Sequence, residues 1–599
     1  MLAGPGSGKT AVITNRVMEL ITEHGADPSK ILVITFSRAA AVEMKERYIR
    51  LSGDRYTSVS FGTFHAIFFK IIKSAYHYDN SSIITDDDRN RILRDFVRDN
   101  SIISDNISEL VSELASNISV VKSEEINPKD YPVSVCTAEQ FVNIYNSYNR
   151  YLRSENKLDF DDMMGLCYRL FLKDAKALRH WQSQFEYILI DEFQDINSMQ
   201  YNIVKMLAMP ENNIFAVGDD DQSIYGFRGA HPELMFKFEK DYPDCRRILL
   251  NYNYRSDTAI VDASLRLIAN NRNRFKKNVL ASSTNAGSVE FIEFDTFEEE
   301  NSFVADYAAT ASEKVAVLYR ANSEVQNLYM LLTARNIPCR IKDRGSLVYD
   351  HWIAKDLFAY LRLSCGMGEL ADWLRVANRP NRYITRESIL SSDADIGRLK
   401  QLNKNRGYIT ASIERLESNL NFMAKLDLYA RIKFIRKAVG YDAFLLEYSK
   451  EKKVPVAELY KVLELLEESA YAYKDFGEWN DAVCECRKAA AKERNGREDA
   501  KNAVELMTFH ASKGLEFDTV FIIDALEGFT PQKLKVEADA ELMSEERRAF
   551  YVAMTRAKHK LYILSSKDRI GRQFAISRFV GECMGIKNPG ACAPGPVHT

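Results

Sequence analysis

The chain contains no apolar run of the roughly 18 residues that a membrane-spanning helix needs, and no apolar leader of the secretory kind. A soluble, cytoplasmic protein with no membrane partner is expected. Cysteine is scarce and scattered: of nine, only Cys484 and Cys486 are near neighbours. Without a second close pair neither a zinc nor an iron-sulfur site is drawn, and reduced thiols follow. There is no excess of positive charge, since 81 Lys plus Arg face 84 Asp plus Glu for a net charge of -3. A global basic field is thereby excluded, so any polyanion must be met by a local groove. Internal repeats and low-complexity tracts are also missing. What is present is a globular composition, 46% hydrophobic and 28% charged, in a chain of 599 residues. That is too long for one core and implies about three to five domains.

Two motifs carry chemistry. The first is Ala3-Gly4-Pro5-Gly6-Ser7-Gly8-Lys9-Thr10. Its glycines let backbone N–H groups curl round an anion, Lys9 adds a point charge, and the Thr10 hydroxyl suits a magnesium ion. The strict form of such a phosphate loop has Gly where Ala3 stands. Far downstream, Tyr187-Ile-Leu-Ile-Asp191-Glu192-Phe193-Gln194-Asp195 brings two carboxylates to the carboxyl end of an apolar strand. Asp191 is the candidate to hold Mg²⁺ through water, and Glu192 to polarise the attacking water. A glycine turn without a ligand, or a solvated strand end, looks the same as either motif alone. Together they point to nucleotide hydrolysis.

Along the chain a helical stretch from Thr10 to Glu23, a strand from Ile31 to Phe36, a helix from Arg38 to Leu51 and a strand from Ser58 to Phe61 alternate as in a parallel α/β sheet. The α/β pattern resumes at Tyr187 and runs through Ile214 to Gly218 into the polar loop Asp219 to Ala230. That loop follows a strand's carboxyl end, where such sheets bind ligands. A second α/β unit is expected to begin near Arg246 and to pass through Val315 to Tyr319 and a helix from Ile353 to Leu363. After a long helical stretch, strands return at Val504, Thr519 and Lys560. The expected fold is α/β: parallel-sheet units at 1–77 with 157–245 and at 246–365 with 503–582, interrupted by mostly helical insertions at 78–156 and 366–502. Residues 583–599 hold three prolines and are expected to be disordered.

In order along the chain stand Gly6-Ser-Gly-Lys-Thr10, Thr35-Phe-Ser-Arg-Ala-Ala40, Gly62-Thr-Phe-His65, Asp191-Glu-Phe-Gln-Asp195, Gly218-Asp-Asp-Asp-Gln-Ser-Ile-Tyr225, Asn253-Tyr-Arg-Ser256, His510-Ala-Ser-Lys-Gly-Leu-Glu-Phe517 and Tyr551-Val-Ala-Met-Thr-Arg-Ala557. This ordered set resembles superfamily 1 DNA helicases of the UvrD, Rep and PcrA type. The resemblance implies two RecA-like motor domains, 1A and 2A, carrying insertions 1B and 2B. It also implies an ATP-dependent 3′–5′ DNA helicase of repair or replication, with ATP and Mg²⁺ as cofactors and single-stranded DNA and ss/ds junctions as partners. By the same resemblance Arg255 and Arg556 reach the γ-phosphate, Gln222 senses it, Tyr254 stacks on adenine and Glu516 accepts a ribose hydroxyl. With Lys9 and Glu192, the catalytic set becomes Lys9, Glu192, Gln222, Arg255 and Arg556. Phe36, Phe64, Tyr225 and Phe227 match positions at which the family stacks bases, and Thr63, His65 and Arg228 stand beside them as phosphate contacts. Stacking is worth about 1–3 kcal/mol per base, whatever the sequence. Taken singly, either arginine is also read as a surface charge, and any of these rings as core.

Two departures bear on the nucleotide. Ala11 stands where members commonly place Arg, and the family's upstream segment, with a glutamine that reads adenine, has no counterpart before Met1. A protein starting at Met1 is expected to discriminate weakly between ATP and other nucleoside triphosphates. The 366–502 insertion is shorter than usual, and no nuclease motif follows Ala557. A translocase that does not unwind, or a DNA-binding module with impaired ATPase, stays open as an alternative.

Overall fold

A computed structural model describes residues 1–53, 58–100, 102, 107–133, 135–226, 229–342, 347–452, 454, 456–494, 503–532 and 540–586. The first sheet has four parallel strands in the order Ser60–Thr63, Ile31–Thr35, Tyr187–Ile190, Ile214–Ala216. Every residue of Ile31–Thr35 is buried, as a strand covered by helices on both faces requires. Leu2–Ala3 adds to the same edge through a bridge to Gly218. Parallel pairing brings the carboxyl ends of these strands together. The phosphate loop, Phe36, Phe64, Asp191 and Asp219 therefore emerge side by side.

The second sheet has six parallel strands, in the order Cys339–Ile341, Val504–Thr508, Val315–Tyr319, Phe517–Ile522, Ala557–Asp568, Ser288–Thr296. Alternate residues of Val315–Tyr319 enter two different cores: Val315, Val317 and Tyr319 one, Ala316 and Leu318 the other. Glu516 and Arg556 immediately precede two of these strands. The second sheet thus turns amino ends toward the carboxyl ends of the first.

The two helical regions differ in kind. Helices Asp86–Asp99, Ile107–Ser123 and Ala138–Ser154 enclose a core of their own around Leu93, Leu114, Phe141 and Tyr148. The first of them starts well locally, with Thr85 accepting from Asp88 N and three aspartates in the first turn. The later helices, Leu370–Val376 through Phe476–Arg494, share one continuous core with the second sheet, in which Trp373, Leu463 and Trp479 pack with Val317 and Phe521. Among the described residues no helix is long and apolar enough to cross a membrane.

Three sequence expectations need correction. The segment from Arg246 does not open the second sheet: Leu249–Leu250 pairs in parallel with Leu2–Ala3. Helix Thr258–Ile268 then joins the second core through Ile260, Ala263 and Leu267. Phe275 returns to the first core, and the second sheet begins only at Ser288. The two units are braided because hydrophobic pattern says which residues are buried, not which sheet buries them. Second, strands Ser288–Thr296 and Cys339–Ile341 were not expected. Third, helix Arg578–Met584 continues past 582 with Cys583 buried; residues 587–599 lie outside the described residues.

Candidate nucleotide site and nucleic-acid groove

The phosphate loop leaves the fully buried Ala3 and ends in helix Lys9–Thr22. At Gly6, φ is +64°, and an added Cβ would fall 2.6 Å from Asn253 Oδ1 and 2.7 Å from Arg255 Cβ. Glycine is needed both for the backbone angle and for the close approach. Tyr254 N fastens the contact by donating to Gly6 O at 2.9 Å. Gly8, at φ +82°, starts the helix with no side-chain cap, while the Ser7 hydroxyl turns inward to Gly4 O at 2.7 Å. The helix's first N–H groups are left for an external acceptor, which is the usual condition of an anion site.

Opposite the loop, Glu192 has φ +51°, a left-handed angle uncommon for a side chain of this size. That turn brings its carboxylate to Lys9, with Nζ 3.2 Å from Oε1 and 3.3 Å from Oε2. The Gln194 amide donates to the same carboxylate. Burial pushes the Glu192 carboxyl up, but Lys9, Lys513 and Gln194 together outweigh it and hold it at about 2. Asp191 goes the other way: burial, then the neighbouring charge of Glu192, pushes it up to about 7. Its carboxylate accepts Glu192 N at 3.0 Å, and among the described residues it forms no ion pair. A buried carboxyl with no ion-pair partner within reach, at the turn that faces Lys9, offers the hard oxygens that Mg²⁺ takes alongside its waters.

The polar contacts then run on across the molecule. Gln194 Oε1 accepts Asp219 N at 2.9 Å, and Gln222 Nε2 donates to Asp219 Oδ2 at 2.6 Å. Arg556 Nη2 donates to Gln222 Oε1 at 3.4 Å. One continuous chain of contacts joins Lys9 beside the first sheet to Arg556 beside the second. Arg556 is 1% exposed and anchored on Val552 O, Leu515 O and Thr555 Oγ1. Burial, reinforced by the charge of Arg255, lowers its pKa to about 9, so it stays charged at neutral pH. Arg255 Nε lies 3.0 Å from Glu516 Oε2 and Lys558 Nζ lies 2.9 Å from Glu516 Oε1. Shared between two cations, the Glu516 carboxylate still has lone pairs for a hydroxyl. Tyr254, beside the loop, is 68% exposed.

Asp219, Asp220 and Asp221 are close enough to bind a cation, but the chain supplies its own. Lys277 Nζ touches Asp219, lies 2.5 Å from Asp220 and 2.8 Å from Asp221, and Arg274 lies 2.6 Å from Asp221.

On the other side of the same loop, Phe36 and Tyr225 stack at 5.3 Å with their planes 9° apart. With His65, Phe160, Asp161 and Asn197 they line a cleft of about 570 Å³ between the first sheet and the helices of residues 86–154. Thr63 Oγ1 accepts Ala66 N at 3.3 Å, which leaves its hydroxyl hydrogen to donate outward. The His65 ring stands edge-on to Phe160 at 5.2 Å, and burial lowers its pKa. Phe64 is a correction: expected to stack a base, it is 2% exposed and packs on Phe68 within the first core. It is the first residue of helix Phe64–Ala75 and falls on the sheet-facing side, whereas His65 falls on the outer side. Phe227 and Arg228 lie outside the described residues.

Gln194, Lys277 and Lys513 were given no role by sequence reasoning. Gln194 had a signal, a polar residue two places after Glu192. Lys513 stands within the His510–Phe517 motif but nothing local announces its partner, and nothing local announces Lys277; their carboxylate partners Asp195 and Asp219 lie 318 and 58 residues away.

Comparison with protein families matches residues 1–243 to the UvrD/REP helicase N-terminal domain and residues 248–568 to the UvrD-like helicase C-terminal domain. The chain belongs to the UvrD/REP helicase family. Among similar proteins is a proposed ATP-dependent DNA helicase, YjcD of Bacillus subtilis, 33% identical over 97% of this chain and 78% of the relative. The ATP-dependent DNA helicase PcrA of Staphylococcus aureus is 31% identical over 95% of this chain and 81% of its own, and that of Leuconostoc citreum 31% over 97% and 82%. In this UvrD/REP helicase the two family matches meet where the units braid, just before Leu249–Leu250.

Proposed function

We propose that the chain is an ATP-driven motor that steps 3′ to 5′ along single-stranded DNA and unwinds duplex ahead of it. The observation that carries this reading is the polar chain from Lys9 through Glu192, Gln194, Asp219 and Gln222 to Arg556, because it ties the phosphate loop of one sheet to a charge beside the other. A triphosphate lies against the start of helix Lys9–Thr22, and Lys9 leaves Glu192 to meet it. Released from that ion pair, Glu192 becomes a stronger base, and Gln194 keeps it aimed at the attacking water. Arg255 and Arg556 meet the negative charge that develops as the γ-phosphate departs, and Gln222, bonded to Arg556, moves with them. Thr10 and, through water, Asp191 are the residues that would hold Mg²⁺, which would supply charge neutralisation to the phosphates. Tyr254 stacks on the base. Single-stranded DNA uses the Phe36 and Tyr225 rings, with Thr63 and His65 toward its phosphates.

The test is ATP turnover with and without oligo-dT, followed by unwinding of duplexes bearing a 3′ or a 5′ tail. Turnover should rise at least about tenfold with DNA, a coupling of ordinary size, and only the 3′-tailed duplex should open. Stimulation without unwinding on either substrate would make the chain a translocase; no stimulation at all overturns the motor.

Asp191 makes a pH prediction. Its carboxyl, raised to about 7, is neutral below that pH and cannot hold a cation. Turnover at limiting Mg²⁺ should therefore drop by about tenfold from about pH 8 to about pH 6, and excess Mg²⁺ should recover it. A loss that excess Mg²⁺ leaves untouched would exclude Asp191 as the cause.

A further inference from the structure

We propose that Lys513 is a positioning residue that couples strand binding to ATP hydrolysis, by pinning the hydrolytic turn and the stacking loop of the first unit to the second. The inference rests on the motor reading above. Lys513 belongs to the segment between strands Val504–Thr508 and Phe517–Ile522 of the second sheet, yet its ammonium lies among groups of the first unit. Nζ is 2.5 Å from Asp195 Oδ2 and 2.8 Å from the carbonyl oxygen of Gln222. The same Nζ sits 5.0 Å from the centre of the Tyr225 ring. Lys513 is 9% exposed at its side chain and Asp195 0%, so this is a desolvated contact rather than a screened surface pair.

Each partner faces one function. Asp195 closes the same short turn that begins after Glu192, and Lys513 is among the charges that keep Glu192 ionised. Gln222 carries the amide that Arg556 reaches. Tyr225 stacks on Phe36, and its hydroxyl donates to His510 O, three residues before Lys513. Asp195 and Tyr225 also line the same cleft. One cation therefore touches the turn bearing the base, the backbone of Gln222 and the ring at the groove.

The rings of Phe36 and Tyr225 are closed on each other, with no gap for a third ring between them. A base that enters there must displace Tyr225, and the ammonium over that ring is bound to Asp195 and Gln222. The displacement is then felt at the residues that orient water and sense phosphate. Asp195 adds a second sign of a shifting contact: its buried Oδ1 has no hydrogen-bond partner, so only half of this carboxylate is committed in the state described.

The experiment uses the full chain, with ATP turnover titrated against oligo-dT and oligo-dT affinity measured by anisotropy. Lys513→Met alone strands the buried Asp195 charge, so it is paired with Asp195→Asn in a double variant that removes both charges. In the double variant the ratio of DNA-stimulated to DNA-free turnover should fall at least about tenfold, with oligo-dT affinity within about threefold of the parent. Lys513→Arg, which keeps the charge, should retain most of the ratio. Equal loss of both rates would make Lys513 a packing residue, and a loss of affinity with an intact ratio at saturation would make it a DNA contact; either overturns the proposal. A parent protein that DNA does not stimulate overturns the motor reading as well. A stimulated parent whose double variant keeps the ratio overturns this inference alone.

Discussion

Glu192→Gln should lower ATP turnover by about 10³-fold and leave ATP and DNA binding within about threefold of the parent. The substitution keeps the shape of the side chain and removes only its ability to accept a proton. Two features make the effect large. The left-handed turn at Glu192 aims the carboxylate at Lys9 and hence at the phosphates, and Lys9, Lys513 and Gln194 hold it ionised in spite of burial. Asp191 accepts Glu192 N and is committed to the metal in this reading, so it is poorly placed to take over as base. Steady-state hydrolysis together with equilibrium binding of a fluorescent ATP analogue checks the prediction. Turnover within tenfold of the parent would remove Glu192 from the base role.

Arg556→Ala should cost about 10³-fold in kcat with a KM for ATP changed by less than about tenfold, because the guanidinium acts on charge that appears only as the γ-phosphate leaves. The structure adds a complication that the sequence does not reveal. Arg556 is nearly fully buried and donates to Val552 O, Leu515 O, Thr555 Oγ1 and Gln222 Oε1. Truncation leaves those acceptors unpaired and opens a cavity, a stability loss of about 2–4 kcal/mol. Thermal unfolding must therefore be measured alongside turnover, with assays kept well below the transition. Arg556→Lys keeps the charge but not the fork of donors, and should fall between parent and Ala in kcat. A variant with a raised KM and an intact kcat would show that Arg556 binds the nucleotide rather than its transition state.

The local motifs were legible because their chemistry is local. A phosphate loop needs glycines within a few residues of a lysine, and continuous apolar runs ending in acidic or aromatic residues mark the carboxyl ends of parallel strands. The chain shows both at Gly6 to Thr10 and at Asp191. Phe64 was misread for an equally local reason. Phe64 and His65 are adjacent in a polar-looking motif, and only the phase of helix Phe64–Ala75 sends the ring inward. Lys277 lay beyond local reading altogether, since a lysine among polar neighbours resembles a surface residue until Asp219, Asp220 and Asp221 close around it.

By itself, then, the sequence determined the α/β class, the order of the motifs and the family, because each depends on residue type and short spacing. Only the tertiary structure decided that Leu249–Leu250 joins the first unit, that Asn253 to Arg255 close over Gly6, and that Lys513 reaches Asp195 and Gln222 from the far side of the chain. Those contacts join residues hundreds of positions apart, and they are selected by which buried faces fit together and which buried charges must be neutralised. No local pattern records either.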